Sequence, residues 1–508
     1  MTLKHNILAN YVSQAFVTLT GIVTVPMCIQ YMGVEAFGLV GFFAMLQACF
    51  QLLDIGLTPT ISRESACYHG GAMSAVEYRK LFRSLSVIFI SIAVTGGSAL
   101  FLMANIMSER WLNLRGLSSA EVLGALQIMA ACVALRWIGG LYRGVISGGE
   151  RFVWLGGFNA AIAALRFMGV FATMMVFGFT PMVYFWHQLV VAILETIALL
   201  LMCYALLPNT DEFDQPIGWS FRPIRPLLRF SLTIAFTSSV WVLLTQTDKL
   251  VLSGILTLGD YGYFTLAVLV ASSVLLATSP VGTVILPRLA RHYAEGDHNK
   301  ILQIYNHATQ LVTVIASSLT VTLVVCCDSL LFAWTGSAEL TKATSSILQL
   351  YAVGNGFLAL SAFPFYLQYA RGNLRYHLIG NIVMVIVLIP TIIVVASKIG
   401  GVGAGGVWAG MNVLYFLGWV GYVHAKLVPG LHWKWLKSIF AVLLPTLLVG
   451  LILGYLQPKS QSRLFELVSV IIIASTCVLT ATISSPLLRK PVLERGGRLL
   501  KVVVLRKP

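Results

Sequence analysis

Long apolar stretches separated by short polar segments form the main pattern along this chain. A helix that crosses a membrane needs about 20 mainly apolar residues, and stretches of that length recur throughout the sequence. Charged and turn-forming residues divide them into about fourteen transmembrane helices, so the predicted fold class is all-α and polytopic. The predicted spans are 8–31, 39–61, 82–106, 121–146, 153–177, 182–206, 230–256, 262–287, 301–327, 341–369, 376–397, 404–426, 435–456 and 463–486.

Composition supports a membrane protein. Of the 508 residues, 58% are hydrophobic and only 10% are charged, and the mean hydropathy is +0.85. Soluble domains have about 25% charged residues, so this chain has too few to cover a water-exposed surface. The loops are short, which leaves no room for a soluble catalytic domain.

The formal net charge of +15 is explained by membrane topology. If the N-terminus lies in the cytoplasm, 25 of the 34 basic residues, Arg143 among them, fall on the cytoplasmic side and 6 on the other. The positive-inside rule requires such a split. We therefore predict two cytoplasmic termini, contact with membrane lipids and no nucleic-acid partner. The basic C-terminal tail either lies on anionic lipid or serves as a topology signal alone.

A proline-containing segment of mixed charge divides the first twelve spans into two groups of six. At an offset of 226 residues, Tyr31–Phe42 is similar to Thr257–Val268, which indicates a weak internal repeat. Parallel repeats with a substrate path between them are a known transporter plan, so we expect two six-helix lobes around a central cavity. The predicted organisation is an N-terminal lobe 1–207, a linker 208–229, a C-terminal lobe 230–428, a helix pair 429–488 and a basic tail 489–508.

Basic residues within the spans are candidates for substrate binding. A charge at mid-bilayer costs about 2.5–3.5 kcal/mol on insertion scales, a cost that a cavity or a pairing partner relieves. Arg143 shares a helical face with Arg136 and with Gly140, a small residue that we expect to leave room for water or a ligand. The predicted cationic site consists of Arg136, Arg143, Arg166 and Lys249.

Three acidic residues, Asp54, Glu195 and Asp248, also lie within the spans. They are predicted to serve either ion coupling or structural charge pairing, since polar groups also join membrane helices by hydrogen bonds worth about 1 kcal/mol. Glu195 lies at a depth similar to that of Arg136 and Arg166 on consecutive helices, so a shared site is geometrically reasonable.

Two local patterns refine these candidates. Asp54 belongs to a polar stripe, Gln47, Gln51, Asp54 and Thr58, which one continuous helix would place on one face. Asp248 and Lys249 differ by about 100° around their helix, so we do not expect them to face each other squarely.

The sequence offers little for catalysis or for metal binding. The eight cysteines form no CxxC pair and have no metal-ligand spacing, and no GxxxxGK[ST] loop occurs. His187 stands alone near the end of span six and is interpreted as an interfacial histidine. We predict no catalytic residue, no metal and no cofactor, with energy supplied by an ion gradient or by consumption of the product.

A set of segments carries a family resemblance over about 430 residues. They are NILANYVSQAFVTLTGIVTVPMCIQYMGVEAFGLVGF, LLDIGLTPTISRESA, LYRGVISGGERFVWLGGFNA, TQTDKLVLSGILTLGDYGYFTLA, LPRLARHYAEGD and YLQYARGNLRYHLIGN. Together they resemble the bacterial polysaccharide-transporter (oligosaccharide flippase) family of the multidrug/oligosaccharidyl-lipid/polysaccharide exporter superfamily, and O-antigen flippases in particular.

The resemblance implies a flippase that moves undecaprenyl-pyrophosphate-linked oligosaccharide across the bacterial inner membrane by alternating access. It also implies a cationic lumen, and the residues that would fit it are Arg136, Arg166, Lys249 and Asp248. Some members of the family use an ion gradient. A polysaccharide polymerase and a chain-length regulator are the candidate partners. The alternative in the same superfamily is a multidrug or cation antiporter of the MATE kind. An alternative of another class is a membrane-embedded polysaccharide polymerase or acyltransferase, which the short loops and the isolated His187 disfavour.

Overall fold

The computed structural model describes residues 3–54, 56–209, 225–458 and 460–489. Within these ranges the chain is helical, and the only extended pairing is one isolated bridge between Asn113 and Thr257. The predicted all-α, multi-pass class is confirmed. Most of the predicted linker 208–229 and of the predicted tail 489–508 lies outside the described residues.

The chain divides into two compact units, Met1–Gly262 and Tyr263–Pro508. The first unit contains α1 (Leu3–Met32), α2 (Val34–Phe50), α3 (Leu57–His69), α4 (Ala75–Ile106), α5 (Ser119–Gly148), α6 (Phe152–Ala164), α7 (Val170–Phe177), α8 (Pro181–Leu206) and α9 (Arg225–Ile255). The division falls inside the next helix, α10 (Leu258–Ala271). The second unit continues with α11 (Ser273–Ala294), α12 (His298–Val325), α13 (Cys327–Thr335), α14 (Ala338–Ser361), α15 (Phe363–Ala370), α16 (Arg375–Leu414), α17 (Val420–Leu427), α18 (Leu431–Leu456) and α19 (Arg463–Ser484).

The helices match the predicted spans closely. Among the described residues, eleven helices are long and apolar enough to cross a membrane. One of them, Arg375–Leu427, contains two predicted spans, because the chain turns at Gly400 with a φ of 67° that favours glycine. The two remaining predicted spans correspond to α1 and α9.

Local sequence sets several helix starts. Ser74 and Glu77 form a capping box at the start of α4, and Ser118 and Glu121 form another at the start of α5. In each box the serine hydroxyl accepts from a backbone N–H that the first turn leaves unpaired, and the glutamate accepts in return. These polar ends define where the apolar segments begin.

The predicted lobe boundary at residues 208–229 precedes α9. This helix groups with the first unit, where it packs on α2 and α3. Asn113 Nδ2 donates to the carbonyl oxygens of Gly254 and Leu256, and Trp111 Nε1 donates to Ser253 Oγ. The bonds from Asn113 satisfy carbonyl groups that a helix end leaves free. The six-and-six division remains a prediction.

One helix in each unit lies at the centre of the packing. In the most apolar part of each helix, more than half of the residues of α5 and 67% of those of α12 are buried. The buried share is 28% in α8 and 22% in α18. Polar side chains on α5 are therefore held by neighbouring helices on several sides.

Candidate functional site

Two arginines share one buried glutamate in the first unit. Arg143 Nη2 on α5 lies 2.6 Å from Glu195 Oε1 on α8, and Arg166 Nη2 lies 2.6 Å from Glu195 Oε2. The glutamate side chain is 6% exposed, whereas the arginine side chains are 29% and 24% exposed. Each carboxylate oxygen takes one charge-assisted hydrogen bond. Arg166 and Glu195, which the sequence places at a similar depth, are thus in contact, and Arg143 joins them although the topology count placed it on the cytoplasmic side.

Arg136 is held by neutral partners instead. Its Nη1 donates to Gln47 Oε1 at 2.9 Å, its Nη2 donates to Gln188 Oε1 at 2.8 Å, and its guanidinium lies 5.1 Å from the ring centre of Phe43. Amide groups orient an arginine without neutralising its charge. The charge of Arg136 therefore remains available to an anion.

A widened turn positions Arg166. Residues Leu165–Gly169 form a π-helical segment between α6 and α7, and such a segment frees backbone carbonyls from the regular helical pattern. Gln188 Nε2 donates to the Arg166 carbonyl at 3.1 Å, and His187 Nε2 lies 2.9 Å from the Leu165 carbonyl. Because a carbonyl only accepts, Nε2 of His187 carries the proton, and Nδ1 accepts from Thr173 Oγ1 at 2.9 Å. His187 thus supports this turn.

Gln188 joins the two parts of the site, since its amide contacts both Arg136 and the backbone of Arg166. Three guanidinium groups and one carboxylate leave a formal excess of two positive charges. Among the described residues, the buried Nε atoms of Arg136 and Arg166 have no hydrogen-bond partner. The group defined by Arg136, Arg143, Arg166 and Glu195, here called the arginine cluster, therefore retains unused donors and positive charge.

The glycines on α5 correct one expectation. A Cβ on Gly140 would lie 3.0 Å from Thr58 Oγ1, and one on Gly144 would collide with the side chain of Ile61. These glycines admit α3 against α5 and do not leave room for water or a ligand. The spacing of four residues is typical of close helix packing.

The predicted stripe through Asp54 is also corrected. The helix of span two is interrupted by a 3-10 turn at Gln51–Asp54 and by Gly56, whose φ is 68°. Asp54 Oδ1 accepts from the backbone N–H of Thr58 at 3.1 Å and from its hydroxyl at 2.8 Å. Asp54 therefore binds the first turn of α3, where a carboxylate stabilises the helix dipole, and Gln51 is exposed rather than part of a buried face.

Asp248 and Lys249 approach each other more closely than their helical positions suggested. Lys249 Nζ bends back to the Thr245 carbonyl at 2.5 Å and lies 3.5 Å from Asp248 Oδ1, which also accepts from the Lys249 backbone N–H. Asp248 is 2% exposed.

Three amide side chains were absent from the predicted site. Gln47 and Gln188 bind Arg136, and Asn159 Oδ1 accepts from Arg143 Nη1 at 2.6 Å. A signal for two of them exists in the sequence, because Asn159 precedes Arg166 by seven residues and Gln188 precedes Glu195 by seven, which is two helical turns. Within the described residues, no group of three His, Cys, Asp or Glu side chains could hold a metal ion.

Comparison with known proteins gives the family and the fold. The model of a family described as "Polysaccharide biosynthesis protein" matches residues 3–292. The lipid II flippase MurJ in an inward closed conformation is 14% identical with a TM-score of 0.73, over 94% of this chain and 98% of that chain. An inward-facing MATE family multidrug resistance transporter of the MOP superfamily is 13% identical with a TM-score of 0.66, over 81% and 95%.

A MOP superfamily transporter from Pyrococcus furiosus is 14% identical with a TM-score of 0.53, over 83% of this chain and 95% of that chain. A search of curated proteins found no match. At these identities the structural likenesses show a shared fold.

Proposed function

Because the chain belongs to the polysaccharide biosynthesis protein family, whose members are transport proteins rather than enzymes, we propose that it flips a polyprenyl-diphosphate-linked oligosaccharide across the bacterial inner membrane. The cargo would be an O-antigen unit or another surface-polysaccharide repeat unit. The likeness to MurJ, a lipid II flippase, supports a lipid-linked cargo. Alternating access, cytoplasmic termini and the two-lobe organisation belong to this proposal.

The observation that carries the proposal is the arginine cluster. A diphosphate that enters a membrane loses its hydration, and an unpaired charge is costly there. Arginine stays protonated, and its planar fork matches phosphate oxygens. Arg143 and Arg166 are partly exposed, and the cluster has an excess of positive charge, so it can bind a diphosphate without first losing all its internal contacts.

Glu195 has a defined part in this mechanism. Its carboxylate holds Arg143 and Arg166 in place, each at 2.6 Å. An arriving diphosphate competes with the carboxylate for the same N–H donors. This competition weakens binding and favours release, which a transporter requires. Of the two roles predicted for Glu195, the contacts support charge pairing.

A cation antiporter of the MATE kind is the second candidate. It is supported by the fold shared with MATE transporters and by the deeply buried carboxylate of Asp248, a group that could bind a proton or a cation. The positive excess of the arginine cluster argues against a cationic substrate.

The test measures flipping of a fluorescent polyprenyl-diphosphate oligosaccharide in proteoliposomes containing the purified chain. We expect Arg136→Ala, Arg143→Ala and Arg166→Ala each to lower the rate about 10- to 100-fold, since a hydrogen bond to a charged group is worth about 1.5–3 kcal/mol. Arg291→Ala is the matched control because that arginine is 77% exposed and pairs only locally with Glu295.

Restoration of surface polysaccharide in a flippase-deficient strain checks the same variants in cells. Full activity of all three cluster variants would refute the cationic-site proposal. Loss of drug resistance with normal surface polysaccharide in a deletion strain would instead favour the antiporter.

A further inference from the structure

The second unit contains a surface groove that shares no residue with the arginine cluster. Its cavity of about 270 Å³ is formed where the start of α16 meets α17 and the π-helical segment Tyr415–Trp419 that precedes it. Pockets for drug-sized ligands measure about 300–1,000 Å³, so this groove suits a single headgroup rather than an oligosaccharide. The lining residues are Arg375, Tyr376, Ile379, Trp419, Tyr422 and Lys426.

Aromatic rings form the wall of the groove. The rings of Tyr376 and Tyr422 pack edge-on with centres 5.9 Å apart, and the Trp419 ring lies 5.3 Å from that of Tyr422. Lys426 Nζ lies over the Tyr422 ring at 5.8 Å. Tryptophan and tyrosine at a helix end are typical of the level at which lipid headgroups lie.

No acidic residue lies close in the sequence to the two basic residues of the groove. Arg375 and Lys426 are exposed, and within the described residues neither side chain makes a hydrogen bond or an ion pair. The sequence contains no aspartate or glutamate between Glu339 and Glu466. Arg371, close by, is already bonded through Nη2 to the Leu427 carbonyl at 2.9 Å. The charge of the groove is therefore available to an anion.

An exposed apolar stripe begins in the groove and continues along α16. Ile379 is 39% exposed, Val383 49% and Ile386 65%, and their spacing places them on one face of the helix. A lipid whose headgroup is held at Arg375 could therefore place its acyl chains on the apolar surface along this helix.

We propose that this groove binds the phosphate headgroup of an anionic glycerophospholipid, with its acyl chains lying along the α16 stripe. The groove lies at the end of α16 and α17 that the sequence predicts to face the cytoplasm, where anionic lipid attracts basic side chains. The apolar stripe distinguishes this ligand from soluble phosphate. The small volume distinguishes it from the oligosaccharide cargo.

The test uses native mass spectrometry of the purified full-length chain with phosphatidylglycerol and with phosphatidylcholine of identical acyl chains. A basic residue near a membrane surface contributes about 1 kcal/mol of attraction, so R375Q/K426Q should weaken phosphatidylglycerol binding about 25-fold and leave phosphatidylcholine binding unchanged. K434Q/K437Q removes the same charge from exposed positions in the first turns of α18, outside the groove, and should change binding less than about twofold. R375K/K426R keeps the charge and should retain binding.

Three results would overturn the proposal. Equal losses in the two glutamine double variants would show attraction by general surface charge. Displacement of phosphatidylglycerol by glycerol phosphate at similar concentrations would show a soluble-phosphate site. Stronger displacement by a polyprenyl diphosphate would assign the groove to the cargo. We expect R375Q/K426Q to flip the oligosaccharide lipid at the normal rate. Failure of the lipid-binding proposal would therefore leave the proposed transport function intact.

Discussion

The interiors of the two units carry different polar groups although both are built from apolar helices. The first unit buries carboxylates at Glu64, Glu195 and Asp248, and Arg143 and Arg166 bind Glu195. The second unit buries mainly amides and a histidine, among them Asn355, Asn412 and His424. Its stretch from 340 to 465 has no acidic residue, and the buried carboxylate of Glu466 lies in the first turn of α19. Hydropathy alone cannot distinguish the two interiors. The comparison teaches that charge in the middle of a helix, rather than the number of helices, marks the candidate anion site.

The substitution Glu195→Ala is expected to have the largest effect and tests this comparison most directly. The substitution leaves Arg143 and Arg166 facing each other without a carboxylate. Removal of one partner of a buried ion pair costs about 3–5 kcal/mol, and since these arginines are about a quarter exposed, we expect about 2–3 kcal/mol. Thermal unfolding in detergent measures the loss, and an unchanged midpoint would contradict a structural role for the pair.

The matching substitution in the second unit is Asn355→Leu. Asn355 Nδ2 donates to the Ala271 carbonyl at 2.9 Å, and its Oδ1 accepts from Trp408 Nε1 at 3.0 Å. Leucine has a similar size but leaves the buried Trp408 Nε1–H without an acceptor, which costs about 1–3 kcal/mol, whereas the Ala271 carbonyl tolerates the loss of one donor more easily. The same thermal measurement should show a smaller loss than Glu195→Ala, with transport per folded molecule unchanged. A larger loss would reverse the ranking of charged over neutral interiors.

Glu195→Gln separates charge from hydrogen bonding. Glutamine keeps an acceptor for only one of the two arginines and, being neutral, competes less strongly with a diphosphate. We therefore expect inorganic pyrophosphate to bind about 5- to 10-fold more tightly, equivalent to about 1–1.4 kcal/mol. Isothermal titration of the purified chain measures the affinity, with Asn412→Leu as a neutral control in the second unit. Weaker binding by Glu195→Gln would contradict the competition mechanism.

The smallest effect is expected at a charge cluster outside the membrane segments. Hydrogen bonds from Arg291 and His292 lower the pKa of Glu295, and those from Lys300 lower the pKa of Asp297. A lowered folded-state pKa stabilises the protein above the unfolded-state pKa, and this contribution disappears as the pH falls through the folded-state value. The Glu295 side chain is 42% exposed and pairs with Arg291 and His292 in the adjacent helical turn, so Glu295→Gln should reduce the acid sensitivity of thermal unfolding only slightly between pH 5 and pH 3. An effect as large as that of Glu195→Ala would show that the surface cluster matters as much as the interior one.

Much of the helical plan follows from the sequence because lipid imposes a length and a composition on each span. The predicted spans correspond to helices, and the two-turn spacing in α6 and α8 placed Arg166 and Glu195 on polar faces. The break at Gln51–Gly56 was missed because the polar residues there retain a helical spacing although Gly56 has a positive φ. The packing role of Gly140 and Gly144 was missed because a small residue can create space or allow close contact, and only the neighbour decides.

The turn at Leu165–Gly169 contains one residue more than an α-helical turn would hold. Deletion of a single residue there would let α6 and α7 join as one regular helix. The side chains on one flank would then rotate by about 100° relative to those on the other. The side chains of Arg166 and Asn159 could no longer keep their present orientation relative to Thr173, although every amino acid in the arginine cluster would still be present. The direction in which this guanidinium points therefore depends on chain length as well as on residue identity, and alignments that place a gap in this segment describe proteins with a differently oriented arginine.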